Sequence, residues 1–128
     1  MKFSHLSLYT SEGCNLACKY CFLPKHPEDA KEQTLKDILK YFFTISGPRV
    51  HIHIFGTEPL YRWELLKLVF TETERLAKKL GKPATKGITT NCVALTKRHA
   101  EWLTKHQVSA LCSIDGTKEN HNRNRVFP

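Results

Sequence analysis

Val50-His51-Ile52-His53-Ile54-Phe55-Gly56-Thr57-Glu58-Pro59 is the stretch on which the fold turns. Its first six residues alternate. Val50, Ile52 and Ile54 point one way and His51, His53 and Phe55 the other, the period of a strand with one apolar face. Paired histidines two apart on a strand can bind a metal; the expectation is that they line a polar interior or pack as neutral rings. Gly56 has backbone freedom closed to other residues, and Pro59 pushes Glu58 toward extended geometry. The turn therefore presents backbone carbonyls and a carboxylate at a sheet edge. Such groups suit an ammonium ligand; an ordinary β-to-α turn is the plainer alternative.

Working outward, the stretch from Phe3 to Thr10 alternates as well, with Leu6 and Leu8 on one face and His5, Ser7 and Tyr9 on the other. A helix is expected from about Thr34, where Thr34 and Asp37 match a capping pattern. Leu35, Ile38, Leu39, Phe42 and Phe43 follow on one face, and Ser46-Gly47-Pro48 ends it. Downstream, Tyr61 to Leu80 reads as a helix with Leu66, Val69, Phe70, Thr73, Leu76, Ala77 and Leu80 as its buried stripe. Gly81 and Pro83 stop it. A strand over 86–91, a helix over 96–106 with Ala100 and Leu103 inward, and a strand over 108–114 complete the chain. The order β-α-β-α-β-α-β predicts an α/β fold with a parallel sheet and right-handed crossovers, in one domain spanning 1–128.

In such sheets ligands sit at the C-terminal ends of the strands. The unusual residues gather at those ends. Cys14-Asn15-Leu16-Ala17-Cys18-Lys19-Tyr20-Cys21 follows the first strand, and Gly56 to Pro59 follow the second. Thr90-Asn91-Cys92 closes the third, and Ser113-Ile114-Asp115-Gly116 the fourth. Three thiols in one short loop are soft ligands, suited to iron–sulfur or zinc. A [4Fe–4S] cube usually takes four cysteines, so three would leave one iron open to a substrate or cofactor. A zinc site completed by His26 is the alternative metal reading, since three Cys plus one His is a common closed set. A disulfide or a buried thiol is the plain one.

Of the five cysteines, Cys92 and Cys112 stand alone in sequence, and Cys92 reads as a small packing residue. This is no secreted disulfide framework, and a reduced compartment is expected. No apolar run approaches the roughly 20 residues that span a membrane, and the N-terminus carries no apolar signal core. A cytoplasmic location is the default expectation. Hydrophobic residues are 41% and charged residues 25%, a globular profile. The formal net charge is +8. Its lysines are dispersed along helices, so a solvated surface is expected before a nucleic-acid face.

The cysteine spacing, with Tyr20 before the third thiol, resembles the cluster motif of radical S-adenosylmethionine (radical SAM) enzymes. Gly56-Thr57-Glu58-Pro59 resembles that family's Gly-Gly-Glu-Pro, which holds the cofactor's amino group. Thr57 stands at the second glycine, where a positive φ would strain it. Thr90-Asn91-Cys92 resembles the family's Thr-Asn-Gly. Ser113 to Gly116, continuing to His121-Asn122-Arg123-Asn124-Arg125, resembles the subgroup of anaerobic sulfatase-maturating enzymes and peptide maturases with a SPASM domain.

The resemblance implies a [4Fe–4S] cluster on Cys14, Cys18 and Cys21, with S-adenosylmethionine on the open iron. It implies contacts to that cofactor from Gly56, Thr57, Glu58, Pro59 and Asn91. Ser113 and Arg125 would reach its carboxylate, with Arg123 competing for that role. Tyr20 and Phe22 would neighbour the adenine. It further implies reductive cleavage to a 5′-deoxyadenosyl radical, a flavodoxin- or ferredoxin-like electron donor, and a peptide or protein substrate. Finally, it implies a partial parallel (β/α) barrel of about four βα units, the N-terminal portion of a longer core. A zinc-binding nucleic-acid module and a non-catalytic iron–sulfur protein stand as rivals.

Overall fold

The computed structural model describes residues Lys2 to Pro128. Four strands, β1 (Phe3–Leu8), β2 (Ser46–Ile54), β3 (Ala84–Thr90) and β4 (Val108–Cys112), alternate with four helices. The helices are α1 (Glu32–Ile45), α2 (Trp63–Leu80), α3 (Lys97–Lys105) and α4 (Lys118–Asn124), with a 3₁₀ turn at Pro59–Arg62 leading into α2. All strand pairs are parallel, and the sheet order β1-β2-β3-β4 follows the chain. Each crossover thus steps the same way, as in a barrel, instead of reversing as in a doubly wound sheet.

Register divides the sheet into two unlike faces. Leu6 pairs with Ile52 and Ile52 with Lys86, and Leu8 pairs with Ile54 and Ile54 with Ile88, on the side that meets the helices. There Ile52, Ile54, Ile88, Leu66, Val69, Phe70, Leu39 and Phe43 are sealed from solvent in one core. The opposite side carries His5 beside His51, Ser7 beside His53, and His51 beside Thr85. The histidine rings lie 4.8–6.2 Å apart. His51 Nδ1 meets Thr85 Oγ1 at 2.7 Å, and His53 Nε2 meets Thr89 Oγ1 at 2.9 Å. These rings are a hydrogen-bonded lining, as expected. Burial, then the neighbouring His5 ring, holds His51 and His53 below the ordinary imidazole value.

Several sequence expectations need correction. Helix α1 starts at Glu32 and its N-cap Lys31 makes no side-chain cap, so the Thr34/Asp37 box does not form. Ser46-Gly47-Pro48 does end α1, with Ser46 as its C-cap, and Ser46 opens β2 at once. Ile38 is 39% exposed and Leu80 45%. Ile38 stands on the solvent flank of an apolar stripe, and Leu80 on the last turn before Gly81. Ala100 faces solvent, leaving Leu103 as the buried residue of α3. Strand β4 ends at Cys112, and Ala110 and Cys112 beyond buried Val108 are exposed. The fourth helix, α4, was not expected. It has no buried residue, so no apolar period announced it; Thr117, accepting from the Asn120 amide, caps its start.

Candidate functional site

The C-terminal strand ends close around one cleft of about 200 Å³. Cys14, Cys18 and Cys21 line it with Tyr20, Phe22, Gly56, Thr57, Glu58, Asn91, Ser113 and Arg125. Pro59 sits just beyond, buried at the start of the 3₁₀ turn. His26 and Arg123 do not line it. Residues to which sequence reasoning gave no role there do: Leu23, Lys25, Phe55 and Thr89, with Thr90, which it quoted only within the third strand-end motif. Lys25 could have been suspected from its place in the cysteine loop. The Thr89 and Thr90 side chains are placed by strand register alone.

The cysteine loop is held from both sides. Glu12 donates its amide to Glu28 O at 2.9 Å, and a bridge joins Ser11 to Asp29. From the far end of the chain, Ala17 donates to Val126 O at 2.7 Å and Lys19 to Asn124 O at 2.9 Å. The end of α4 and the residues after it therefore dock on the loop, which no local pattern could reveal. The Lys25 ammonium caps Leu16 O. The Leu16 amide donates to Cys14 Sγ at 3.4 Å. Burial nonetheless pushes the Cys14 thiol above its ordinary value.

All three thiols are free. Among the described residues no three His, Cys, Asp or Glu side chains converge on one point as a single ion requires. Three free thiols lining one cleft are soft donors of the kind an iron–sulfur cube takes. The zinc alternative needs His26 as its fourth donor, and His26 does not line this cleft. The donor set thus fits a [4Fe–4S] cluster.

Glu58 is bound into the wall of the cleft. It is 1% exposed. Thr90 Oγ1 and the Leu60 amide donate to its Oε1 at 2.6 and 3.0 Å, and the Asn91 amide donates to Oε2 at 2.7 Å. The carboxylate ties the β2 turn to the end of β3 in the wall of the cleft. Strain at this turn falls on Gly56, at φ 108°, where a Cβ would sit inside the Tyr9 ring. Thr57 carries no positive φ, and its hydroxyl donates to Ser11 O at 2.6 Å. The threonine is accommodated and fastens the turn to the cysteine loop.

At the fourth strand end, Arg125 places its Nε and Nη2 3.0 Å from Asp115 Oδ1 and lies over the Tyr20 ring. The Tyr20 hydroxyl donates to Asp115 Oδ2 at 2.7 Å. The Tyr20 bond, with help from Arg125, holds the Asp115 carboxyl below its usual range. Desolvation, then Asp115, raises the Tyr20 phenol. Asn91 Nδ2 donates to Asn15 Oδ1 at 2.7 Å, a further tie to the cysteine loop. The Ser113 amide donates to Thr90 O at 2.9 Å.

Cys92 and Cys112 are not solitary: they form a disulfide, with Cα atoms 6.1 Å apart. Cys92 is not a mere packing residue. It holds φ 63°, a left-handed conformation uncommon outside glycine.

A model of the Radical SAM superfamily matches residues 8–126. The radical SAM cyclopropyl synthase TigE of Paramaledivibacter caminithermalis is 25% identical over 91% of this chain and 28% of its own length. Among solved structures, anSMEcpe with bound AdoMet superposes with TM-score 0.83 at 26% identity, over 96% of this chain and 35% of that one. Streptococcus suis SuiB bound to precursor peptide SuiA superposes with TM-score 0.76 at 26% identity, over 100% of this chain and 28% of that one. The chain thus spans about a third of the length of these proteins. No helix among the described residues is long and apolar enough to cross a membrane.

Proposed function

The chain belongs to the radical SAM superfamily, and from that premise we propose that its cleft holds a [4Fe–4S] cluster and S-adenosylmethionine for radical modification of a peptide or protein side chain. The observation that carries this is the gathering of three free thiols, the Gly56–Glu58 turn and the Arg125 guanidinium on one cleft.

In this reading Cys14, Cys18 and Cys21 bind the cluster. When bound, the reduced cluster and S-adenosylmethionine supply reductive carbon–sulfur cleavage and hence a hydrogen-abstracting radical. The chain's residues position and shield. Backbone carbonyls of the Gly56–Glu58 turn accept from the amino group, while Glu58 acts from behind by fixing that turn. Arg125 offers a planar fork to the carboxylate, held in place by Asp115, and Ser113 adds a hydroxyl. Asn91 braces the β3 end against the cysteine loop. Tyr20 and Phe22 flank the adenine; Phe22, 89% exposed, gains the most cover from a bound ring. A flavodoxin- or ferredoxin-like protein is the proposed electron source. The likeness to SuiB, solved with its precursor peptide, supports a peptide substrate.

The test is anaerobic reconstitution followed by spin-resonance spectroscopy of the reduced cluster with and without S-adenosylmethionine. A cofactor-dependent change of the spectrum, with 5′-deoxyadenosine released under reduction, is expected. A spectrum indifferent to the cofactor would sink the reading.

A further inference from the structure

We infer that Cys92 and Cys112 form a reversible redox clamp that sets the shape of the cleft rim, a modification site separate from the three loop thiols. Its consequence for the cofactor rests on the reading above; the clamp itself does not.

The placement carries the inference. Thr90 and Cys112 are register partners at the ends of β3 and β4, so the disulfide joins the two strands where their ladder stops. Each cysteine is bonded in sequence to a cleft residue, Cys92 to Asn91 and Cys112 to Ser113. Beyond the ladder, Asn91 is tied to Glu58 and Asn15, and the Leu95 amide bonds Cys92 O, but few bonds join this rim to the end of β4. The Ser113 amide donates to Thr90 O, and the Cys92 amide to Thr90 Oγ1 at 3.0 Å. Both run through Thr90, whose hydroxyl in turn serves Glu58. The left-handed backbone at Cys92 is costly for a residue with a Cβ. A cross-link that over-determines this conformation explains how a cysteine is kept there.

The chemistry is thiol–disulfide exchange. Cys112 is exposed and Cys92 half-buried, so Cys112 meets the oxidant first. With a small-molecule disulfide as oxidant, the Cys112 thiolate attacks one sulfur and expels the other half as a thiolate. Cys92, deprotonated in turn, attacks Cys112 Sγ of the mixed disulfide and expels the second half. One protein S–S bond forms, the small disulfide is reduced to two thiols, and the two cysteine protons pass to them. A small-molecule dithiol reverses the exchange. The clamped form presents Asn91 and Ser113 to the cleft in fixed positions and binds the cofactor more tightly, since less ordering is left to be done.

Two measurements test this on the full chain. In a variant with Cys14, Cys18 and Cys21 replaced by Ala, glutathione disulfide should form the Cys92–Cys112 bond, seen by mass spectrometry, and dithiothreitol should undo it. Amide exchange at Cys92 and Ser113 should be about tenfold slower in the oxidised form. Cys112→Ser should match the reduced form. Cys92→Gly, which relieves the left-handed backbone but cannot cross-link, should also exchange fast. In the anaerobically reconstituted chain, S-adenosylmethionine should bind several-fold more tightly to the clamped form than to Cys112→Ser. Absence of the bond, or equal exchange in the two forms, overturns the clamp. Equal affinity with unequal exchange overturns its link to the cofactor. If no form binds the cofactor, the proposed function fails and the exchange rates still decide the clamp.

Discussion

One sheet has two faces here, and they answer to different demands. Toward the helices, β2 and β3 present Ile52, Ile54 and Ile88, all fully buried. On the other face the same strands present His51, His53, Thr85 and Thr89, joined by hydrogen bonds and half open to solvent. A period of two separates them. The apolar face holds the fold together; the polar face and the rim above it are free to carry chemistry. The division is sharpest at Glu58, a rim residue whose carboxylate is spent on structure.

The largest effect expected from breaking this division is on the apolar side. Phe70→Ala should lower stability by about 3–5 kcal/mol, measured by urea unfolding, because Phe70 is fully buried in the core. Ala in place of His53 should cost far less in the same assay. Glu58→Gln comes next. Its amide keeps one acceptor oxygen but sets an N–H₂ donor against backbone or hydroxyl donors, at a cost of about 1–3 kcal/mol in the same unfolding curve. Arg125→Ala should leave stability and iron content nearly unchanged. It should weaken S-adenosylmethionine binding by about 1.5–3 kcal/mol in anaerobic titration calorimetry. Equal affinity in that variant would remove Arg125 from the site.

The smallest effect is a pH dependence. Burial and the His5 ring hold His51 and His53 below the ordinary value of 6.5. Just below pH 6.5 the unfolded chain therefore binds more protons than the folded one, so stability falls as pH falls through that window. Replacing both with Gln should flatten this part of the curve. The Glu74 carboxyl acts lower down. Burial raises it, but bonds from Lys86 and His106 together outweigh this and hold it below 4.5. Its contribution is therefore present above 4.5 and lost in stronger acid, which the double Gln variant should leave in place.

Much of this was legible in the sequence, for a physical reason. Alternation in Val50–Phe55 and the stripe Leu66, Val69, Phe70, Thr73, Leu76 are local periods, and local periods set parallel β/α topology. The strand-end motifs were legible because topology sends them to one rim. What was hidden depends on contacts distant in sequence. The Cys92–Cys112 pairing spans a sequence separation of 20. The docking of Asn124 and Val126 on the cysteine loop joins opposite ends of the chain. Helix α4 was hidden because it buries nothing and so leaves no stripe. The bonds from Thr90 and Asn91 to Glu58 were hidden because a carboxylate at a strand end looks the same whether it turns outward or inward.

The central claim is that the three loop thiols, and no other cysteines, hold one cluster. Iron and sulfide analysis of the anaerobically reconstituted chain tests it most directly, alongside single Ala variants of Cys14, Cys18, Cys21, Cys92 and Cys112. The account predicts about four irons and four sulfides per chain. That content should be lost in each of the first three variants and kept in the last two. One tightly held zinc without sulfide, or a cluster that survives loss of Cys18 but not of Cys92, would contradict it.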